Sequence, residues 1–226
     1  VGQYTSLALD TSGQPHVSYY DTTNGKLKYA RLDGSSWQIE TIDSASDVGR
    51  ESSLALDNSG RPHVSYYDWT NGDLKYARFD GSSWQIETID NAGDVGGESS
   101  LALDAYGFPH VSYYDLTNGN LKYAYFDGTS WQTETIDSAG NVGWGTSLAL
   151  DTSGWPHVSY YDSTNGDLKY ACFDGSSWRI ETIDSAGDVG WDPSLALDTS
   201  GRPHVSYYDG TNDSLKYAYL EGTNWV

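Results

Sequence analysis

SLALDNSGRPHVSYYDWTNGDLKYARFDGSSWQIETID, from Ser53 to Asp90, is the stretch whose reading decides the fold. Ser53 to Asp57 is short and apolar and closes on Asn58-Ser59-Gly60, a turn composition. His63 to Asp68 is β-branched and aromatic, with Pro62 at its start, where a missing N–H is tolerated. Asn71-Gly72 supplies residues that accept the positive φ of a tight hairpin. Leu74 to Phe79 makes a third strand, Asp80-Gly81 a further turn, and Trp84 to Ile89 a fourth. A turn cluster about every ten residues leaves no room for a helix.

Outward from this stretch the same sentence recurs without insertion or deletion. Leu7, Leu54, Leu101, Leu148 and Leu195 are spaced 47 residues apart, as are Pro15, Pro62, Pro109, Pro156 and Pro203. A repeat of this length is one supersecondary unit that cannot bury both its faces alone, so neighbours must stack. Four antiparallel strands repeated radially make a propeller blade. The expectation is an all-β, five-bladed β-propeller occupying 1–226 as a single domain, with repeats 1–47, 48–94, 95–141, 142–188 and 189–226. A β-solenoid is the competing architecture, but its coils are shorter and carry fewer hairpin turns.

The last repeat is truncated. Five repeats of 47 require 235 residues, and 226 are present. With Trp225 aligned on Trp178, the counterpart of Ile180 to Asp188 is lacking. The fifth blade is therefore expected to hold three full strands and a stub, leaving Leu215 to Leu220 as an edge open to self-association. Ring closure is expected from face-to-face packing of blade five on blade one.

Twelve Lys and Arg stand against 32 Asp and Glu, a formal charge of −20. Such a surplus repels nucleic-acid phosphates and anionic membrane surfaces. No apolar run reaches the 18 residues a membrane span needs. Cys172 is the single cysteine, so neither an internal disulfide nor a cysteine-type zinc site is expected. A chain opening on Val1 and rich in Tyr, Trp, Ser, Thr and Gly reads as an excised or mature, secreted or cell-surface module.

Five repeats of 47 residues resemble the tachylectin-2 lectins, five-bladed propellers of that repeat number and length. The likeness lies in architecture, not motif, so it transfers no sugar-binding residue. Phe79-Asp80-Gly81-Ser82-Ser83-Trp84 resembles the Asp-box turn of sialidase-type propellers, though its glycine spacing departs from that motif. This likeness implies that the Ser-Leu-Ala-Leu-Asp strand is innermost and the Trp-bearing strand outermost. The phrase Asp-x-x-Gly-x-Pro-His-Val-x-Tyr is similar to repeats of bacterial and archaeal surface propellers.

Positions identical in all five repeats must serve what every blade needs, which is stacking and turning. His16, His63, His110, His157 and His204 read as structural, because a propeller spreads them around a ring too wide for one ion. Asp10, Asp57, Asp104, Asp151 and Asp198 precede turns whose backbone N–H groups a carboxylate accepts. Lys28, Lys75, Lys122, Lys169 and Lys216 are expected to pair with carboxylates. Neither a metal nor a cofactor is expected.

Variation concentrates in the segment between blades and in the loop between second and third strands, which a propeller places on one rim. That rim carries Trp69, Trp144 and Trp191 beside Arg50, Glu51, Glu98 and Asp192. Aromatic platforms beside carboxylates suit a sugar, which offers a flat apolar face and hydroxyls at its edge. These seven residues are the candidate ligand-binding set, and a glycan or cell-surface polysaccharide is the expected partner. Trp155, Phe108, Arg61 and Arg202 vary on the other rim, where drift between repeats accounts for them.

Glycoside hydrolysis wants two carboxylates facing one bond. The candidate acids that break the fivefold symmetry are Glu51, Glu98 and Asp192, and they occupy one equivalent position. No Gly-x-Ser-x-Gly elbow or phosphate-cradling glycine loop occurs. The expectation is a non-catalytic, lectin-like binding or adhesion module. The alternatives are a structural or engineered repeat scaffold without a ligand, and a polysaccharide lyase or hydrolase.

Overall fold

The computed structural model describes residues 2–226. Among the described residues there is no helix; the chain forms five sheets, each of four consecutive antiparallel strands. It is a five-bladed β-propeller with a truncated last blade. In blade II the strands are Val48–Leu56, Pro62–Asp68, Asp73–Phe79 and Trp84–Asp90. The second strand is buried along its whole length, as expected of a strand covered on both faces.

Each turn is closed by the carboxylate that begins it. Asp57 Oδ1 accepts from the backbone N–H of Ser59 and Arg61, both at 2.8 Å. Asp68 accepts from the Asn71 side chain at 3.0 Å. Asp80 takes the N–H groups of Ser82 and Ser83 and the amide of Gln85, which hold its carboxyl far below the usual range.

The first strand differs from expectation. It starts at Val48 rather than Ser53 and passes through the segment read as an interblade loop. The pairing slips between Arg50 and Ser53, where Glu51 adopts φ 51°. Tyr4, Glu98, Gly145 and Asp192 occupy the equivalent positions, and all have positive φ. A bulge of this kind twists the strand and re-aims its side chains. Just upstream, Gly96 takes φ 102° because a Cβ there would lie 2.7 Å from the Leu74 backbone.

Blades stack through four apolar clusters. Between blades I and II, Leu27, Tyr29 and Ile42 pack on Val48, Leu54, Val64 and Tyr66, with the Trp84 indole meeting the Tyr29 ring edge-on at 5.3 Å. The first strands are tied across the boundary, Leu54 N–H donating to Ser6 Oγ at 3.0 Å and Leu101 N–H to Ser53 Oγ at 3.0 Å. Polar bonds lock the same joint: Lys75 Nζ sits 2.6 Å from Asp43, which also accepts from the Tyr66 hydroxyl at 2.8 Å. Lys75, Lys122, Lys169 and Lys216 each pair in this way with an aspartate of the preceding blade. Each histidine is held at Nδ1 by a tyrosine hydroxyl of its own blade, as His63 by Tyr76 and His204 by Tyr217.

The fifth blade has full strands Val189–Leu197, Pro203–Asp209 and Ser214–Glu221, then the two-residue stub Asn224–Trp225. The amino-terminal strand Gln3–Leu9 belongs to blade I and donates nothing to it. The expected closure, however, does not form. Leu215 is 82% exposed where Leu27, Leu74, Leu121 and Leu168 are fully buried, and Leu7 is 64% exposed where its counterparts are at 7–8%. The two end faces therefore do not meet.

Candidate functional site

The variable rim holds a cleft of about 420 Å³ at the boundary of blades IV and V, lined by Glu98, Asn141, Trp144, Gly145, Tyr161, Ser163, Trp191 and Asp192. Trp144 and Trp191 stand at the same position of successive first strands and remain partly exposed. Both rings are fixed. The Trp144 indole N–H donates to Asn141 Oδ1 at 3.2 Å, and its ring lies 4.7 Å from that of Tyr114. The Trp191 indole N–H donates to Asp188 Oδ1 at 2.8 Å, and its ring lies 4.8 Å from that of Tyr161. Rings held at their edges, with a face left open, can receive a flat ligand without loss of rotamer freedom.

Not every candidate residue joins this cleft. The Arg50 guanidinium lies over the Trp69 ring, 4.1 Å from its centroid, and is clamped by Asp47 at 2.9 Å. Trp69 therefore has a cation on its face, and the Arg50–Trp69 pair lies outside the cleft. Glu51 instead lines a hollow of about 290 Å³ together with Tyr4, Glu98, Gly145 and Asp192. Glu98 and Asp192 line both the hollow and the cleft, and so connect them.

The carboxylates of this hollow are electrostatically unusual. Burial, reinforced by the charges of Glu51 and Asp192, pushes the Glu98 carboxyl up to about 7. Burial also raises Glu51, although its Oε2 accepts the Glu98 backbone N–H at 2.6 Å. Both glutamates sit at left-handed φ, and strained backbone of this kind clusters at ligand sites. No group of three metal-ligating side chains assembles among the described residues.

The opposite rim carries clefts that the sequence reading treated as drift. One of about 340 Å³ lies at the boundary of blades II and III, between Arg61, His63, Arg78 and Glu87 on one side and Tyr106, Phe108 and Trp131 on the other. Glu87 Oε2 there accepts the Trp131 indole N–H at 2.9 Å, Tyr76 holds His63, and Asp57 is taken by its turn. Tyr106, 86% exposed, was missed by the sequence reading, although Ser12, Ser59, Ser153 and Ser200 stand at its position in the other repeats.

No protein-family model matches this chain, and no curated protein does. Solved structures do. A lectin from Aleuria aurantia, in complex with Fucα1-6GlcNAc, superposes at TM-score 0.66 with 18% identity over 98% of this chain and 76% of the lectin. A protein of unknown function from Dyadobacter fermentans gives 0.67 at 12% identity, covering 97% and 79%. A polysaccharide lyase, an ulvan lyase, gives 0.68 at 14% identity, covering 100% and 68%. The chain shares the propeller fold of all three. At these identities the likeness speaks for the fold alone.

Proposed function

We propose that this propeller is a non-catalytic carbohydrate-binding module of the secreted or cell-surface kind, and that the cleft between Trp144 and Trp191 receives the sugar. The observation that carries this reading is the pairing of two edge-locked indoles with Glu98 and Asp192 in one cleft. Indole faces take the C–H face of a pyranose, and carboxylates accept its hydroxyls. The fold supports the class: among similar structures one is a lectin holding a fucosylated disaccharide. A glycan array at fixed salt tests it. Retention of one glycan class by the wild type, lost in both Trp144→Ala and Trp191→Ala, supports the reading; equal retention by the variants overturns it.

A second reading rests on Glu98. A carboxyl held near 7 beside two other carboxylates is suited to general acid chemistry, and the fold also serves a polysaccharide lyase. Release of new reducing ends or unsaturated sugars from the retained glycan, abolished in Glu98→Gln, would favour this reading. The binding proposal expects the glycan to be recovered intact.

A further inference from the structure

The cleft between blades II and III sets two cations against an aromatic wall, and the carbohydrate reading makes no use of it. Register places Arg78 opposite His63 and Tyr76 opposite Glu87, so these four side chains share the face that blade II turns toward blade III. Arg61 enters the same cleft from the turn before the second strand. Blade III supplies the other wall, where Tyr106, Phe108, Phe126 and Trp131 follow one another at ring separations of 6.5, 6.1 and 5.9 Å. The second repeat alone has arginine at both positions; the others read Gln14 with Arg31, Phe108 with Tyr125, Trp155 with Cys172, and Arg202 with Tyr219. We propose that this cleft binds a small aromatic oxyanion, a carboxylate or sulfate carried on a flat ring, with the anion at Arg61 and Arg78 and the ring against Phe108.

The charge in this cleft that lacks a partner is positive. Neither guanidinium has an ion-pair partner among the described residues, in a chain with 32 acidic and 12 basic side chains. Arg202, at the position of Arg61, is by contrast closed onto Asp198 at 2.7 Å. Arg61 leaves the equivalent Asp57 and lies along the Gly81 turn, its Nη2 3.7 Å from where a Cβ at Gly81 would sit. The two carboxylates in the cleft already hold donors, Asp57 the backbone N–H groups of Ser59 and Arg61, and Glu87 the Trp131 indole. His63 adds no charge: burial above all, with the charges of Arg78 and Arg61, pushes its imidazole down to about 4 against the pull of Asp57. An oxyanion is the group that a guanidinium holds through two parallel N–H bonds. The opposite wall selects the body that carries it. Phe108 and Phe126 have no polar side-chain atom, and Trp131 gives its one N–H to Glu87. A sugar stacked there would bury hydroxyls without partners, whereas an aromatic ring has none to lose and gains ring contacts. A cleft of about 340 Å³ has room for such a ligand.

Titration calorimetry with para-hydroxycinnamate and phenyl sulfate tests this, beside the neutral methyl para-hydroxycinnamate and glucuronate, an anion without an aromatic ring. Wild type is expected to bind the aromatic anions at a single site, at least about tenfold more tightly than the ester or glucuronate, and less tightly at about 0.5 M than at about 0.05 M salt. The tighter of the two aromatic anions assigns the oxyanion as carboxylate or sulfate. Arg61→Gln, Arg78→Gln and Phe108→Ala, all at exposed positions, should each weaken binding about tenfold, with circular dichroism verifying that the fold is kept. Arg202→Gln, whose guanidinium is already paired, should leave it unchanged. The proposal is overturned if neither aromatic anion binds, if the ester or glucuronate binds as tightly, or if both arginine variants bind like wild type. It is equally overturned if Trp155→Ala abolishes binding, which would place the anion in the cleft between blades III and IV.

Discussion

Tryptophan does three separate jobs in this chain, and position alone separates them. Trp131 meets Tyr76 edge-on at 5.1 Å across a blade boundary and donates to Glu87. Trp37 has the same place in its repeat but faces no preceding blade and is half exposed. Trp131→Ala should therefore destabilise by about 3 kcal/mol and Trp37→Ala by under about 1 kcal/mol in urea denaturation. Equal costs would contradict the assignment of the fourth-strand indoles to blade stacking. Trp144 and Trp191, by contrast, are held at their indole N–H edges and line the cleft of the variable rim. At the same scale Glu98 makes a pH prediction. Its carboxyl titrates at about 7 in the folded chain, against about 4.3 when unfolded. The folded state keeps a proton that the unfolded state has released, so this group's contribution falls as pH rises from about 4.3 to about 7. Glu98→Gln should be more stable than wild type at pH about 8, with the difference gone by pH about 4; thermal melts across that range would show it, and a constant difference would refute the raised titration.

At the scale of the strand, the repeat was nearly sufficient. Turn residues such as Asn71-Gly72 and Asp80-Gly81 mark hairpins wherever they occur, and the four strands of each blade fell between them. The first strand was misjudged because Val48-Gly49-Arg50-Glu51 carries a glycine and two charges, which reads as a loop. Pairing with the second strand overrides that local chemistry through a bulge, with the glutamate at positive φ. The glycine before it is required by packing rather than by a turn. Gly96→Ala should cost on the order of 1–3 kcal/mol from backbone strain, and more from the contact with Leu74, as read by the shift in urea midpoint. A neutral substitution would mean that the neighbouring third strand yields. Glu98→Ala offers a contrast, since it removes a buried charge at a position where φ is also strained.

For the molecule as a whole, stability is a sum of blades and joints. Blades II, III and IV have neighbours on both sides, while blades I and V have one each. Amides of the second strand of blade III, Pro109–Asp115, should exchange slowest, and those of Gln3–Leu9 and Ser214–Glu221 fastest. Uniform protection across all five blades would contradict an unclosed ring. The gap itself was not legible in the sequence, because a repeat specifies the joint between neighbours but not how many such joints complete a circle. The candidate site was half legible. Variation between repeats pointed to Trp144, Trp191, Glu98 and Asp192, and the fold brings these four into one cleft. It could not reveal that Arg50 caps Trp69, since that depends on side-chain directions at a bulge.

The central claim is that sugar is held on the rim of Trp144 and Trp191 and not on the rim of Trp155. Calorimetric titration of the retained glycan into wild type, Trp191→Ala and Trp155→Ala is its most direct test. Trp155 is similarly exposed and lines a cleft of about 250 Å³ on the opposite rim, so it controls for loss of an aromatic side chain as such. The account predicts affinity lowered at least about tenfold in Trp191→Ala and unchanged in Trp155→Ala. Affinity kept in Trp191→Ala and lost in Trp155→Ala would contradict it.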